Sequence, residues 1–121
     1  SLYRAAVEQR DAQNLVIKLY KNNITPSDTD TAITYTEATF PGYAAITLTG
    51  ASWNAAASGT ITYGAQQTFS CTGTSTDDIY GYYVVQATSG TLVYSERDAN
   101  APLAIRVNGD NIKITPTISA N

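Results

Sequence analysis

The sequence predicts an all-β protein: a single antiparallel β-sandwich or jelly-roll-like barrel, preceded by an N-terminal arm or short helix. Two observations predict it. Apolar residues recur at every second position in most segments, which is the period of a strand half-buried on a sheet. Glycine, proline and asparagine interrupt those segments at short intervals with turn chemistry. The length of 121 residues suits one domain with one core. Residues 1–13 read as the arm or helix and residues 14–121 as the sandwich.

The opening "LYRAAVEQRDA" places Tyr3, Ala6, Val7 and Arg10 on one helical stripe, and it equally suits an extended arm that packs on a neighbour. In "NLVIKLYKNN", Leu15, Ile17 and Leu19 share one face and Val16, Lys18 and Tyr20 the other, so a strand with a buried side is expected. Pro26, Ser27, Asp28 and Asp30 make "ITPSDTDT" a loop. The Thr-rich "AITYTEAT" reads as a second, edge strand, and "FPGY" as a Pro-Gly turn. Ala44, Ile46 and Leu48 then alternate with Ala45, Thr47 and Thr49 in a further half-buried strand. The alanines of "ASWNAAASG" suit a short helical turn, but Gly50 and Gly59 bound it and favour a loop anchored by Trp53.

"TITYGAQQTFSCT" predicts two short strands around Gly64, with Ile61 and Tyr63 on one side and Gln67, Phe69 and Cys71 on a shared face. In "DIYGYYVVQA" both alternating sets are large, which predicts a strand covered on both faces or lying at an interface. "TSG" followed by "TLVYSE" predicts a hairpin return. "LAIRV" and "NIKIT" flank Asn108-Gly109-Asp110, and Asn-Gly is the dipeptide of a type I′ turn, so a last hairpin is expected there.

Composition excludes several functions. The formal charge of −3 and the dispersal of seven basic residues argue against nucleic-acid binding, which needs clustered Lys and Arg. No apolar segment reaches the ~20 residues of a membrane-spanning helix, and the first residues lack the apolar core of a signal peptide. With Cys71 alone, no internal disulfide can form. The initial Ser and the absence of Met suit a mature chain made in the cytoplasm, its initiator Met removed, and suit a trimmed chain equally.

The chain has no His, which removes the usual general base, the commonest zinc ligand and every Ser-His or Cys-His nucleophile. No Ser-x-x-Lys spacing occurs either. Glycoside hydrolysis needs only two carboxyl groups roughly 5–10 Å apart, and Glu8, Glu37 and Glu96 are the candidates. Asp28 with Asp30, and Asp77 with Asp78, carry oxygen atoms that suit calcium, although neither pair matches an EF-hand loop and both read first as turn formers. Cys71 reads as a small buried apolar residue. No cofactor and no catalytic residue is expected. Tyr combines large contact area with a polar tip and is favoured at interfaces, so the interaction candidates are Leu2, Tyr3 and Val7 in the arm and Tyr80 and Tyr82 in the tyrosine-rich strand.

Through "LVIKLYKNNITPSDTDTAITYTEATFPGYAAITLTGASW", "ITYGAQQTFSC", "IYGYYVV" and "NGDNIKITPTI", the chain resembles a group of small proteins encoded in tailed-bacteriophage genomes and generally taken for virion structural proteins. The similarity covers nearly all of the chain from Leu15 onward, and its most specific elements are "LYKNNITPSDTDTA", "YTEATFPGYAAITL" followed by "GASW", and "AQQTF". It carries no catalytic signature. What it implies is a particle component, favoured here as a capsid decoration, or cement, protein: small, β-rich, without cofactors, often trimeric, and bound across junctions of the assembled shell. Its partners would be the major capsid protein and copies of itself, with a homotrimer as one form, and its location the virion after synthesis in the bacterial host cytoplasm. The alternative is a tail fibre, baseplate or receptor-binding module that contacts a host glycan or protein through the loops Asn54 to Ser58 and Thr72 to Asp78. More remote is a small carbohydrate-active enzyme using Glu37 and Glu96.

Overall fold

A computed structural model of the chain describes residues 14–27, 29–49, 60–62 and 65–119. The expected N-terminal arm or helix and the loop around Trp53 lie outside these residues. The fold is all-β, antiparallel and sandwich-like, as the alternation predicts. Its strands are β1 (Leu15–Tyr20), β2 (Ile46–Leu48), β3 (Thr60–Thr62), β4 (Gln67–Ser70), β5 (Asp78–Ile79), β6 (Gly81–Gln86), β7 (Leu92–Arg97), β8 (Leu103–Ala104), β9 (Asn111–Ile114) and β10 (Thr117–Ser119). The helical element among the described residues is one 3-10 turn, Ala32–Thr34.

A four-stranded sheet in the order β2-β1-β6-β7 forms one layer. Three two-stranded ladders, β4–β9, β5–β8 and β3–β10, make up the rest. Strand β6 runs antiparallel to β1 from Tyr20↔Gly81 to Leu15↔Gln86, and to β7 from Gly81↔Arg97 to Val85↔Leu92, with a bulge between Val84 and Val85. Because side chains alternate across a strand, this register sorts the apolar residues into two clusters. Leu15, Ile17, Leu19, Tyr82, Val84, Val93 and Tyr94 face Phe69, Cys71, Ile79, Ile105 and Ile112 from the ladders. On the opposite face Tyr20, Tyr83, Val85 and Leu92 meet Tyr35, with Ile24 and Ala32 packed alongside. Of the two options the sequence left for "GYYVVQ", the strand is covered on both faces.

Three local expectations hold. Gly42 takes φ +86° at the third position of the Phe40–Tyr43 turn, which the Tyr43 N–H closes on the Phe40 carbonyl at 3.0 Å. Gly90 takes φ +76° in the β6–β7 connection. Phe69 and Cys71 share the buried face of β4 and its extension, where the Cys71 thiol donates to the Gly73 carbonyl at 3.0 Å.

Two local expectations do not hold. "AITYTEAT" is not an edge strand: its first residues form the 3-10 turn, and its one ladder contact with β1 is the isolated Tyr20↔Glu37 bridge. The Asn22 side chain takes the hydrogen bonds a ladder would have used, donating to the Thr34 carbonyl at 3.0 Å and accepting from the Thr36 N–H at 2.8 Å. The Thr31 N–H donates to the Thr34 hydroxyl at 3.0 Å and the Thr34 N–H to the Thr31 carbonyl at 3.0 Å, which close the turn. Nor do "LAIRV" and "NIKIT" form a hairpin. Leu103–Ala104 pairs with β5 and Asn111–Ile114 with β4. The Asn108-Gly109 turn does form, with Gly109 at φ +98°, but its backbone bonds to Cys71 through Gly109 N–H at 2.9 Å and Asp110 C=O at 2.7 Å. The Asp110 carboxylate occupies the Arg106 and Val107 N–H groups at 2.8 and 3.1 Å, and these bonds hold its carboxyl below the usual carboxylate range.

The partner of β1 on its outer side is a single run of chain with an excursion in it. Ala38 N–H bonds Leu19 C=O at 2.9 Å, the chain then turns through Phe40–Tyr43 and returns as β2 against Leu15–Ile17. The Tyr43 hydroxyl fills the seam, accepting from the Leu19 N–H at 3.2 Å and donating to the Glu37 carboxylate at 2.7 Å. Gly81 is needed for close approach: a Cβ there would overlap the Glu96 carbonyl and stand 2.8 Å from the Tyr20 ring. Gly81→Ala is therefore expected to destabilise the fold by about 3 kcal/mol through overpacking, whereas Gly90→Ala, with open space around it, costs about 1 kcal/mol for its left-handed backbone alone. Paired urea denaturation curves measure the difference.

Candidate interaction surface

The face of the sheet that carries Tyr20 and Tyr83 is roofed by the loop that follows β1. Tyr35 reaches down from this loop and stacks on Tyr83, with centroids 5.0 Å apart and planes at 15°, while the Tyr20 ring lies 4.9 Å from it, tilted by 57°. The Tyr35 hydroxyl donates to Asp30 at 2.7 Å and lies 2.7 Å from the Ser95 hydroxyl, so one phenol ties the loop to β7. Arg97 adds a second tie, donating to Asn23 at 2.9 Å and to the Ile24 carbonyl at 3.1 Å with its guanidinium 5.2 Å from the Tyr80 ring centre. Loop and sheet thus form one body with few free torsions.

Beside this roof a hollow of about 480 Å³ opens between residues 30–33 of the loop and residues 89–92 of the β6–β7 connection. Ile33 forms part of its wall and is 95% exposed, against 56% for Val107, the other exposed large aliphatic residue among the described residues. Periodicity missed Ile33, because an apolar residue in an alternating segment reads as strand. The signal that could have found it is the Thr31-x-x-Thr34 spacing, which is that of a capped helical turn.

The interaction candidates divide. Leu2, Tyr3 and Val7 lie outside the described residues. Tyr82 is a core side chain, 6% exposed, whose hydroxyl donates to the Thr117 carbonyl at 2.8 Å and so joins the large sheet to β10. Tyr80 is half-buried and shares its ring with Arg97. The sequence could not separate the two, since large residues occupy both faces of their strand.

The predicted pair Glu37 and Glu96 does not converge. Glu37 lies opposite Tyr20 and Glu96 opposite Tyr82, which places them on opposite faces of the sheet. Glu8 lies outside the described residues. Asp77 accepts from the Thr39 N–H at 2.8 Å and pairs with Lys21 at 3.6 Å, while Asp78 pairs with Arg106 at 2.7 Å, so the neighbours point to different partners. Asp30 accepts from the Ser27 N–H at 2.9 Å as well as from Tyr35, the turn role expected of it; Asp28 lies outside the described residues. Among the described residues no three His, Cys, Asp or Glu side chains gather as metal ligands. A smaller cavity of about 130 Å³ lies under Glu96, Asp98 and Lys113, walled by Tyr82, Leu103 and Ile112.

No protein-family model, curated protein or solved structure matches the chain.

Burial disfavours the charged phenolate and pushes the Tyr20 and Tyr83 hydroxyls up to about 12, Arg97 partly opposing the shift at Tyr20 and Glu37 adding to it at Tyr83. Tyr35, Tyr43 and Tyr82 move in the same direction, each chiefly by burial. A group that keeps its proton in the folded state contributes stability that is complete below its unfolded pKa. For these tyrosines it is complete below about pH 10 and is lost as the pH rises toward 12. Absorbance at 295 nm should therefore show these five tyrosines ionising only well above pH 10, together with loss of the near-ultraviolet circular dichroism.

Proposed function

We propose that the chain is a non-enzymatic structural protein of a tailed-phage particle, acting as a capsid decoration protein on the assembled shell. One observation carries the adhesive reading: the carboxylates among the described residues are taken up by hydrogen bonds and ion pairs within the chain, and the pair expected for glycoside hydrolysis does not come together. Glu37 and Glu96, the pair a glycosidase reading would need, have the sheet between them. The resemblance from Leu15 onward supports the phage setting, and the low charged fraction of 14% supports crowding of many copies without strong mutual repulsion. Each contact with the shell can be weak, because copies held on one lattice act together.

Purified particles test this. The chain is expected in a fixed stoichiometric ratio to the major capsid protein, removable from the shell and able to rebind it when added back. A low copy number confined to the tail would move the assignment to a receptor-binding or baseplate module, and absence from particles would end the proposal. Removal of residues 1–12 is expected to weaken rebinding if the N-terminal segment contributes to the contact, with unchanged rebinding excluding that role.

A further inference from the structure

We infer that Asn108 is a site of spontaneous covalent modification: the Gly109 nitrogen can displace its side-chain amide, and the hydrogen bond from that nitrogen to the Cys71 carbonyl holds the reaction off in the folded chain. The inference does not rest on the virion assignment.

Its first support is access. A backbone nitrogen closes a five-membered ring on the preceding Asn side chain most readily when its own residue has no Cβ to crowd the approach. Asn108 is the one asparagine of the chain followed by glycine; the others precede Leu, Asn, Ile or Ala, or end the chain. Asn108 and Gly109 are both exposed, and open space surrounds the position a Cβ would take on Gly109, so water and hydroxide reach the reacting atoms.

The chemistry needs only water. Hydroxide removes the Gly109 amide proton and the nitrogen attacks the Asn108 Cγ. The Cγ–Nδ2 bond then breaks, and the leaving nitrogen takes a proton from water and departs as ammonia. Water opens the resulting succinimide at either carbonyl, leaving aspartate or isoaspartate. The net change is one amide and one water giving one carboxylate and one ammonium ion, with no oxidant or reductant.

The second support is the bonding that opposes this step. The Gly109 N–H donates to the Cys71 carbonyl at 2.9 Å, and the Cys71 N–H donates to the Asp110 carbonyl at 2.7 Å. The Asp110 N–H closes the turn on the Val107 carbonyl at 3.1 Å, while the Asp110 carboxylate accepts from the Arg106 and Val107 N–H groups at 2.8 and 3.1 Å. Gly109 is therefore fastened on both sides, and its nitrogen turns toward Asn108 only when the bond to Cys71 opens. The product makes that opening permanent. Isoaspartate lengthens the backbone by one methylene and takes Gly109 out of register with Cys71, loosening the approach to the β4–β9 ladder.

Peptide mapping by mass spectrometry after incubation at mildly alkaline pH tests the inference, with the folded chain compared to the chain held unfolded in urea. Unfolded, Asn108 is expected to convert ahead of every other asparagine, and Gly109→Ala to slow it. Folded, the conversion should be about tenfold slower or more, since it proceeds through local opening. Asp110→Ala releases the Arg106 and Val107 N–H groups and should narrow this folded-to-unfolded ratio, with circular dichroism confirming that the variant is folded. Hydrogen exchange of the Gly109 amide in the parent chain reads the same protection without a variant, and slowed exchange is expected. Equal rates in the folded and unfolded chain, an Asn108 that survives in urea, a folded Asp110→Ala chain with the parent's ratio, or a Gly109 amide exchanging at the unprotected rate would overturn the proposal.

Discussion

The double burial of β6 is the constraint on which the rest of the structure depends. Tyr82 and Val84 point into one cluster and Tyr83 and Val85 into the other, all four almost fully buried. Each contributes on the order of 2 kcal/mol by removal of apolar surface from water. Such a strand needs hydrogen-bonded neighbours on both edges and cover on both faces. β1 and β7 supply the edges, the ladders around Phe69 and Ile112 supply one cover, and the loop carrying Tyr35 supplies the other. The loop is therefore as much a part of the core as any strand.

The tyrosines explain how an irregular segment can serve as that cover. A loop brings backbone polar groups that water cannot easily satisfy once it packs down. Here Asn22, Asp30, Ser95 and Arg97 bond the loop's backbone or its phenol, while the aromatic rings supply the apolar area. Phenols suit both tasks, having a wide face for packing and a polar tip for a specific partner. The abundance of Tyr is thus explained in large part by architecture, and a tyrosine count by itself says little about docking surfaces in this chain.

The sequence made the strands legible wherever one force dominated. Leu15, Ile17 and Leu19 alternate with less apolar neighbours and form β1; Pro41-Gly42 can hardly do other than turn; the two-sided bulk of "GYYVVQ" leaves only a covered strand or an interface. It misled where side chains compete with the backbone for hydrogen bonds. Nothing in the alternation of "AITYTEAT" reveals that Asn22, ten residues earlier than its first residue, claims the groups of Thr34 and Thr36. Likewise Asn108-Gly109 marks a turn correctly, but the turn's partners are decided by Asp110 and by the distant Cys71. The candidate surface was hidden for the same reason, because Ile33 became exposed when its segment ceased to be a strand.

The seam beside Leu19 has a consequence for how the molecule behaves in bulk. Unfilled amide groups along a strand are templates on which other chains can add, and crowded β-proteins risk growing fibrils from them. At this position the template is plugged by the Tyr43 phenol, an oxygen that satisfies the amide without presenting a further ladder to outsiders. The molecule is thereby spared one route to runaway polymerisation at this position.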